Sequence, residues 1–231
     1  MRILGIIPAR GGSKGVLKKN IKLLGNKPLI GYTIDAARES QKLTRTIVST
    51  DDPEIASVAK SLGAEVPFMR PDDLATDSAK SMPVIHHALE FMEKEEGEKY
   101  DAVLMLQPTT PFRTGKDIDQ AIGLLQSSGA DSVISVVDVE GHHPARMKYL
   151  ENGRLIDPDF CEEYENQPRQ ELQPMYLRNG AIYLTRRETI MKHSFKGNHC
   201  QALIMETRRS VNIDTELDFL MADFLLSKKL I

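Results

Sequence analysis

Ile3-Leu4-Gly5-Ile6-Ile7-Pro8-Ala9-Arg10-Gly11-Gly12-Ser13-Lys14-Gly15 is the stretch that decides the fold. Its first part is an apolar run that stops at a proline, which predicts a short strand buried on both faces. Three glycines follow, and they allow the backbone to turn tightly with its N–H groups exposed. Because successive N–H groups can form a concave anion-binding site, the stretch predicts a buried strand that leads into a phosphate site.

Basic side chains surround this glycine-rich loop. Arg10, Lys14, Lys18 and Lys19 lie within or just after it. An arginine can bind a phosphate through two parallel hydrogen bonds, whereas a lysine acts as a point charge. The loop is not a P-loop, because G-x-x-x-x-G-K-[ST] is absent. In isolation the same residues would suit a solvated surface turn equally well, but their position after the first strand favours phosphate binding.

Short apolar runs alternate along the chain with segments of helical period. This alternation indicates βαβ units, and therefore an α/β domain with a doubly wound, mostly parallel sheet. The predicted strands are Ile3–Ile7, Thr46–Ser49, Ala102–Leu106, Ser132–Val137 and Gly180–Leu184, and the predicted helices are Pro28–Ala37, Asp52–Ser61, Met82–Lys94, Asp117–Leu125 and Glu216–Leu226. In such sheets ligands bind at the carboxyl ends of the strands, so we expect the site in the loops after Ile7, Thr50 and Leu106.

The alternation is interrupted between residues 140 and 177. This segment contains Pro144, Pro158, Pro168 and Pro174, many charges and no strong apolar period. A compact domain rarely carries so long an irregular stretch unless it is a lid, a binding loop or an interface. We therefore predict a catalytic domain formed by residues 1–139 and 178–231, with residues 140–177 inserted as a segment of one of these kinds. Because this segment has little core of its own to bury, we expect it to be a dimerisation arm that docks on a partner subunit in a homodimer.

Composition excludes several classes of protein. The 231 residues carry a net charge of -3, so no overall basic field attracts nucleic acid or a membrane surface. No apolar stretch approaches the roughly 20 residues that a membrane span needs. The two cysteines, Cys161 and Cys200, lack C-x-x-C spacing, which argues against a zinc site or a disulfide framework. Together these features predict a cytoplasmic protein.

A series of short motifs runs through nearly the whole chain. It comprises Pro8-Ala9-Arg10-Gly11-Gly12-Ser13-Lys14-Gly15 with Lys19-Asn20, Ser49-Thr50-Asp51, Arg70-Pro71 with Leu74-Ala75-Thr76-Asp77 and Ser81, Leu106-Gln107-Pro108-Thr109-Thr110-Pro111-Phe112-Arg113, His142-His143-Pro144, Gln167-Pro168-Arg169-Gln170, Asn179-Gly180-Ala181-Ile182-Tyr183 and Ile213-Asp214-Thr215-Glu216. In this order and spacing, the motifs resemble those of the CMP-sialic acid synthetases, or acylneuraminate cytidylyltransferases. The resemblance implies a Rossmann-like nucleotidyltransferase that uses Mg²⁺ to transfer CMP from CTP to a sialic-acid-like acid sugar.

The resemblance also assigns roles to individual positions. Arg10 and Lys19 match residues that hold the CTP phosphates, and Asp214 matches a magnesium-binding aspartate; these three are the expected catalytic residues. Arg169 matches an arginine that reaches the sugar site from residues 140–177, which form the dimer interface in the family. The full expected substrate-binding set is Ala9, Gly11, Ser13, Lys14, Asn20, Arg70, Ser81, Gln107, Thr109, Arg169, Arg178 and Asn179.

Two positions depart from the family pattern. The family commonly has an Asp-x-Asp pair where this chain has Asn212 and Asp214, so the expected metal ligands are one carboxylate and one neutral amide oxygen. Many members also have an arginine two residues before the Asn-Gly pair, where this chain has Leu177, with Arg178 beside it. The second departure leaves the identity of the acid sugar open.

Two alternatives to this function remain. One is a nucleotidyltransferase for another acid sugar, with the synthetases for the eight-carbon acid Kdo as the nearest relatives. Those enzymes share a Pro-Ala-Arg loop but lack the continuation through Lys14, Lys18, Lys19 and Asn20. The other is a non-catalytic nucleotide-binding homologue, which Asn212 favours and which the intact basic loop, Gln107 and Asp214 oppose.

Overall fold

The computed structural model describes residues 1–231 as strands and helices that alternate along the chain. The strands are β1 (Ile3–Pro8), β2 (Leu23–Leu24), β3 (Lys27–Pro28), β4 (Arg45–Ser49), β5 (Ala102–Met105), β6 (Ser132–Asp138), β7 (Tyr149–Glu151), β8 (Arg154–Ile156), β9 (Tyr176–Arg186) and β10 (Cys200–Ile204). The helices are α1 (Leu29–Glu39), α2 (Pro53–Ser61), α3 (Ser81–Glu96), α4 (Gly115–Ser128), α5 (Arg187–Met191) and α6 (Glu216–Ser227).

Six strands form one sheet in the order β10-β6-β9-β5-β1-β4. All of them are parallel to one another except β9, which runs antiparallel to both of its neighbours. Helices α1, α2 and α4 pack on one face through the largest apolar cluster, and α3 and α5 pack on the other face. The doubly wound, mostly parallel α/β fold predicted from the sequence is therefore confirmed.

The sequence pattern missed parts of the sheet. The edge strand β10 was not predicted, because of its five residues Leu203 alone is buried and the run carries little apolar periodicity. Strand β9 begins at Tyr176, four residues before the start predicted from the sequence. The prediction missed this start because the first three residues of the strand are exposed. Hydrophobic patterning detects buried strands much better than exposed ones, which explains both omissions.

Three helices begin at side-chain caps that fix the loops before them. The Asp52 carboxylate accepts hydrogen bonds from the first turn of α2, and Pro53 occupies its first position. Thr114 and Thr215 form capping boxes at the starts of α4 and α6. The Thr215 cap bears on function, because it holds the residue before it, Asp214, at the carboxyl edge of the sheet.

Residues 140–177 contain a small hairpin, β7–β8, and two short 3-10 turns. Large apolar side chains of this segment and of the adjoining start of β9 are unusually exposed. They are Met147, Tyr149, Leu150, Leu155, Ile156, Phe160, Tyr164, Met175, Tyr176 and Leu177. So many exposed large apolar side chains in one segment are typical of a surface that contacts another protein.

The helices of the protein do not reach the length and apolarity that crossing a membrane requires.

A buried arginine connects the sheet, α1 and the loop after β5. The Arg113 guanidinium donates to the carbonyl oxygens of Ala181 and Gln107 and to the hydroxyl of Thr33. Burial lowers the pKa of Arg113 to about 9, so the group is still charged at neutral pH. Because polar groups buried without partners are costly, these three contacts make Arg113 a fixed point for the loop that carries Gln107.

Replacing Arg113 by methionine should therefore destabilise the fold. Arg113→Met leaves its three oxygen partners without their donor, and we expect a loss of about 3 kcal/mol in the free energy of unfolding. Urea unfolding followed by circular dichroism measures this loss. The matched control is Arg38→Met, because Arg38 is exposed and pairs only with Asp35; its change should stay within about 0.5 kcal/mol. Equal losses in the two variants would contradict the role of Arg113.

Candidate active site

A cavity of about 370 Å³ opens at the carboxyl ends of the parallel strands. This volume lies within the range of roughly 300–1,000 Å³ typical of small-molecule sites. Its wall is built by the loops after β1 and β5, the start of α3 and the segment before α6. The residues predicted from the sequence that line it are Arg10, Ser13, Lys14, Lys19, Asn20, Arg70, Ser81, Gln107, Thr109 and Asp214.

The basic loop after β1 is held in place by hydrogen bonds to its backbone. Buried Ala9 donates from its N–H to the Ser49 carbonyl, 2.9 Å away, and the Gly11 N–H donates to Asp51 Oδ1 at 3.1 Å. The buried Asn20 side chain donates to the Arg10 carbonyl at 2.9 Å. The backbone hydrogen bonds of Ala9 and Gly11 thus attach the start of the loop to Ser49 and Asp51, and the Asn20 side chain connects the start of the loop with its end.

Close packing, rather than an unusual backbone conformation, explains two glycines of this loop. Gly11, Gly12 and Gly15 all have negative φ. A Cβ on Gly15 would overlap the carbonyl oxygen of Asp214, and one on Gly11 would lie 2.6 Å from Asp52 Oδ2. Gly15 therefore lets the basic loop approach the backbone of the segment that ends at Asp214.

Lys19 connects the basic loop after β1 with the segment before α6. Its ammonium donates to the Ile213 carbonyl at 2.7 Å and lies 3.4 Å from Asp214 Oδ1. The Lys19 side chain is 13% exposed, whereas that of Asp214 is 66% exposed. The positive charge is thus anchored in the wall, while the carboxylate projects into the cavity.

Asn212 contacts the same carboxylate from the other side. Its amide nitrogen donates to Asp214 Oδ2 at 2.6 Å. Asp214 is also fixed through its backbone, because its N–H donates to Asp218 Oδ2 at 3.0 Å. Asn212 therefore orients the Asp214 side chain, and the Asn212–Asp214 pair carries a single carboxylate.

Arg70 supplies a buried positive charge at the wall. Its guanidinium donates to the hydroxyl and the carbonyl of Ser49, at the end of β4. Burial lowers the pKa of Arg70 to about 10; the charge of Asp51 opposes this shift and that of Arg10 adds to it. Arg70 therefore remains protonated at neutral pH.

Asn179 lies behind the cavity wall. Its amide oxygen accepts from the Ser135 hydroxyl at 2.6 Å, its amide nitrogen donates to the Ser210 hydroxyl, and its carbonyl accepts from Thr110. A register shift between β6 and β9 at this point makes room for Asn179 and Gly180. Gly180 has a φ of 82°, and a Cβ there would lie 2.8 Å from Gln107 Oε1. Asn179 and Gly180 thus set the position of Gln107, which faces the cavity.

Arg169 and Arg178 lie outside this cavity. Arg169 lines a separate cleft and pairs with Asp138 at 3.2 Å. Arg178 lines a groove with Ile134, Val136 and Phe195. Within one chain, neither arginine meets the basic loop.

The cavity also contains a carboxylate to which the sequence assigned no role. Asp77 lies 2.6 Å from Lys14 Nζ and 3.2 Å from Arg10 Nη1. It belongs to the motif Leu74-Ala75-Thr76-Asp77, so its presence in a motif was the available signal. Pairing across more than 60 residues could not be read from that motif alone.

Positive charge dominates the cavity wall. Arg10, Lys14, Lys19 and Arg70 face two carboxylates, those of Asp77 and Asp214. With Gln107 and Thr109 as neutral hydrogen-bonding groups beside them, this set suits a ligand that is a polyanion at one end and polar at the other.

Comparisons with known proteins identify the family of the chain. A cytidylyltransferase family model matches residues 4–206. The chain is 37% identical to the CMP-N,N'-diacetyllegionaminic acid synthase of Legionella pneumophila, over 98% of this chain and 97% of that protein. It is 35% identical to the N-acylneuraminate cytidylyltransferase of Escherichia coli, over 99% of this chain but only 53% of that longer protein.

A solved structure matches the whole fold. CMP:2-keto-3-deoxy-manno-octonic acid synthetase, complexed with CTP, superposes with a TM-score of 0.73 over 99% of this chain and all of its own, at 18% identity. That likeness supports the fold, and the family match and the full-length relative identify the group. The chain belongs to the cytidylyltransferase family.

Proposed function

We propose that this protein transfers CMP from CTP to a nonulosonic acid, N-acetylneuraminate or a relative such as N,N'-diacetyllegionaminic acid, and releases pyrophosphate. The observation that carries the proposal is the cavity to which Arg10, Lys14 and Lys19 contribute positive charge and into which the Asp214 carboxylate projects beside Lys19. A triphosphate matches this arrangement of charge, and the relatives' names supply the nucleotide and the sugar class.

The reaction is an in-line displacement at the α-phosphorus of CTP. The anomeric hydroxyl oxygen of the sugar forms a bond to that phosphorus, the bond to the pyrophosphate oxygen breaks, and the hydroxyl proton is lost to solvent or a base. Charge builds on phosphoryl oxygens during this step. Catalysis therefore depends mainly on positioning and on electrostatic stabilisation by the guanidinium of Arg10 and the ammonium of Lys19.

The site fits a magnesium ion that arrives with the nucleotide. The residues of this chain form no cluster of three metal-ligating side chains, and Mg²⁺ commonly uses one or two carboxylates together with phosphate oxygens and waters. Asp214, exposed to the cavity, would hold the ion, and Asn212 would orient Asp214. When bound, the ion would neutralise charge on the phosphate oxygens.

We further propose a cytoplasmic homodimer in which residues 140–177 contact the partner subunit. The exposed apolar side chains of this segment support the contact, and the separation of Arg169 from the basic loop in one chain agrees with its use by a neighbour. The free thiols of Cys161 and Cys200 are consistent with a reducing compartment.

Loss of either phosphate-binding charge should reduce turnover. Arg10→Ala and Lys19→Ala should each lower kcat/KM for CTP by on the order of 100-fold or more, because each removes a charge that stabilises the transition state. The assay is magnesium-dependent pyrophosphate release with CTP and a panel of N-acetylneuraminate, N,N'-diacetyllegionaminic acid and Kdo. The control is Lys18→Ala, because Lys18 pairs with Glu54 and does not line the cavity. Activity within threefold of wild type in both test variants would refute the assignment, and turnover of Kdo alone would identify the other acid-sugar class.

The Asn212–Asp214 pair makes a separate prediction about magnesium. Asp214→Ala should abolish turnover while the protein remains folded. Asn212→Asp places a second carboxylate beside Asp214, and should lower the magnesium concentration for half-maximal rate several-fold, roughly the effect of one added hard ligand. Asn212→Ala is the control, since it removes the hydrogen bond without adding charge. A magnesium midpoint unchanged by Asn212→Asp would show that position 212 does not contribute a metal ligand and only orients Asp214.

Disrupting the exposed segment should break the dimer. Leu150 and Leu155 face each other across the β7–β8 hairpin and are each 73% exposed. The double substitution Leu150→Asp and Leu155→Asp should yield a monomer of low activity, because burying two carboxylates without partners is costly. Light scattering at micromolar concentration measures the mass. Leu217→Asp, an equally exposed change on α6, should remain dimeric; an active wild-type monomer would contradict the proposal.

A further inference from the structure

The loop between Arg70 and α3 borders the cavity without being packed into the protein. In this loop, residues 71–80, no side chain is buried, and its regular structure is one 3-10 turn at Asp72–Leu74. Leu74, Asp77 and Ala79 nevertheless line the cavity. Segments with so few buried contacts open at little cost in free energy, so the 71–80 loop can move without disturbing the core.

The 71–80 loop is held to the phosphate site through polar contacts. Asp77 accepts from Lys14 at 2.6 Å and lies 3.2 Å from Arg10, and Arg10 also donates to the Thr76 carbonyl at 2.8 Å. The hydrogen bond from Lys14 holds the pKa of Asp77 below its ordinary value, with the charge of Arg10 acting in the same direction. Asp77 is therefore a carboxylate at neutral pH.

Two anions would compete for the same cations. A phosphate oxygen that binds Arg10 and Lys14 must approach the place where the Asp77 carboxylate now lies, and like charges at such distances repel. The Asp77 side chain is 50% exposed, so its pairing is of the modest kind found at protein surfaces. A triphosphate carries more charge than one carboxylate, so it can displace Asp77, but the displacement subtracts from the affinity.

We propose that Asp77 is a resident counterion of the phosphate site, which pairs with Arg10 and Lys14 until a nucleotide displaces it and which thereby sets the affinity for CTP. The inference rests on the proposed function, because it takes these two cations as phosphate ligands. Displacement of Asp77 releases the 71–80 loop, so binding and loop movement occur together.

The direct test compares Asp77→Asn with wild type. The amide keeps the size of the carboxylate and removes its charge, so inorganic pyrophosphate and CTP should each bind about fivefold more tightly, the change expected when weak surface pairing no longer opposes binding. Isothermal titration calorimetry measures both affinities. In the turnover assay, KM for CTP should fall and kcat should not. The matched control is Glu54→Gln. This change removes the anionic partner of Lys18, a cation close to the basic loop that does not line the cavity, and it should leave both affinities unchanged.

Movement of the loop can be followed independently of turnover. The chain contains no tryptophan, so Ser78→Trp introduces a single tryptophan, which can be excited selectively, into the exposed part of the loop. Pyrophosphate should change its emission, and combining Ser78→Trp with Asp77→Asn should shift the emission toward the ligand-bound value before any ligand is added.

The outcomes separate this inference from the proposed function. Unchanged or weaker binding by Asp77→Asn would overturn the counterion role and would make Asp77 an orienting group or a metal ligand instead. Tighter pyrophosphate binding without turnover of any acid sugar would retain the counterion and refute the proposed reaction. A wild-type protein and a variant that both fail to bind pyrophosphate and CTP would refute both.

Discussion

The contact between Lys19 and the backbone of Ile213 joins the first loop of the chain to its last, 194 residues apart, and the site depends on this contact. It works because Gly15 has no side chain to hold the two segments apart. The Lys19 side chain is 13% exposed, and a charged hydrogen bond to a carbonyl is costly to leave unmade, so the charge stays at the wall. Asp214, the residue after Ile213, then projects into the cavity from just before a helix start that the Thr215 cap fixes.

A second constraint positions the polar part of the site. Arg113 is buried and binds the backbone of the loop after β5 at Gln107 and of β9 at Ala181. The bulge at Asn179–Gly180 brings β9 close to Gln107. In this way an antiparallel strand in an otherwise parallel sheet packs against Gln107 from behind the cavity wall. β-Bulges beside active sites often have this effect, because they redirect the side chains around them.

Much of this organisation could be predicted from the chain itself. Buried apolar runs gave the central strands, helical periods gave the layers on both faces, and the glycine-rich basic loop gave the edge of the sheet where ligands bind. The members of the site that could not be predicted have roles that come from a partner distant in sequence. Asp77 forms ion pairs with Arg10 and Lys14, and the Asn179 amide forms hydrogen bonds with Ser135 and Ser210 instead of facing the cavity.

The sequence by itself determined the fold class, the family and the chemical character of the basic loop, because each of these follows from local pattern and residue type. Tertiary structure alone decided which charges meet, and it placed Arg169 and Arg178 away from the basic loop within one chain. The physical reason is that a charge acts over a few ångströms of space, whereas its neighbours are set by strand order, by a register shift and by the absence of a Cβ at one glycine. Strand order and packing of this kind depend on the whole chain.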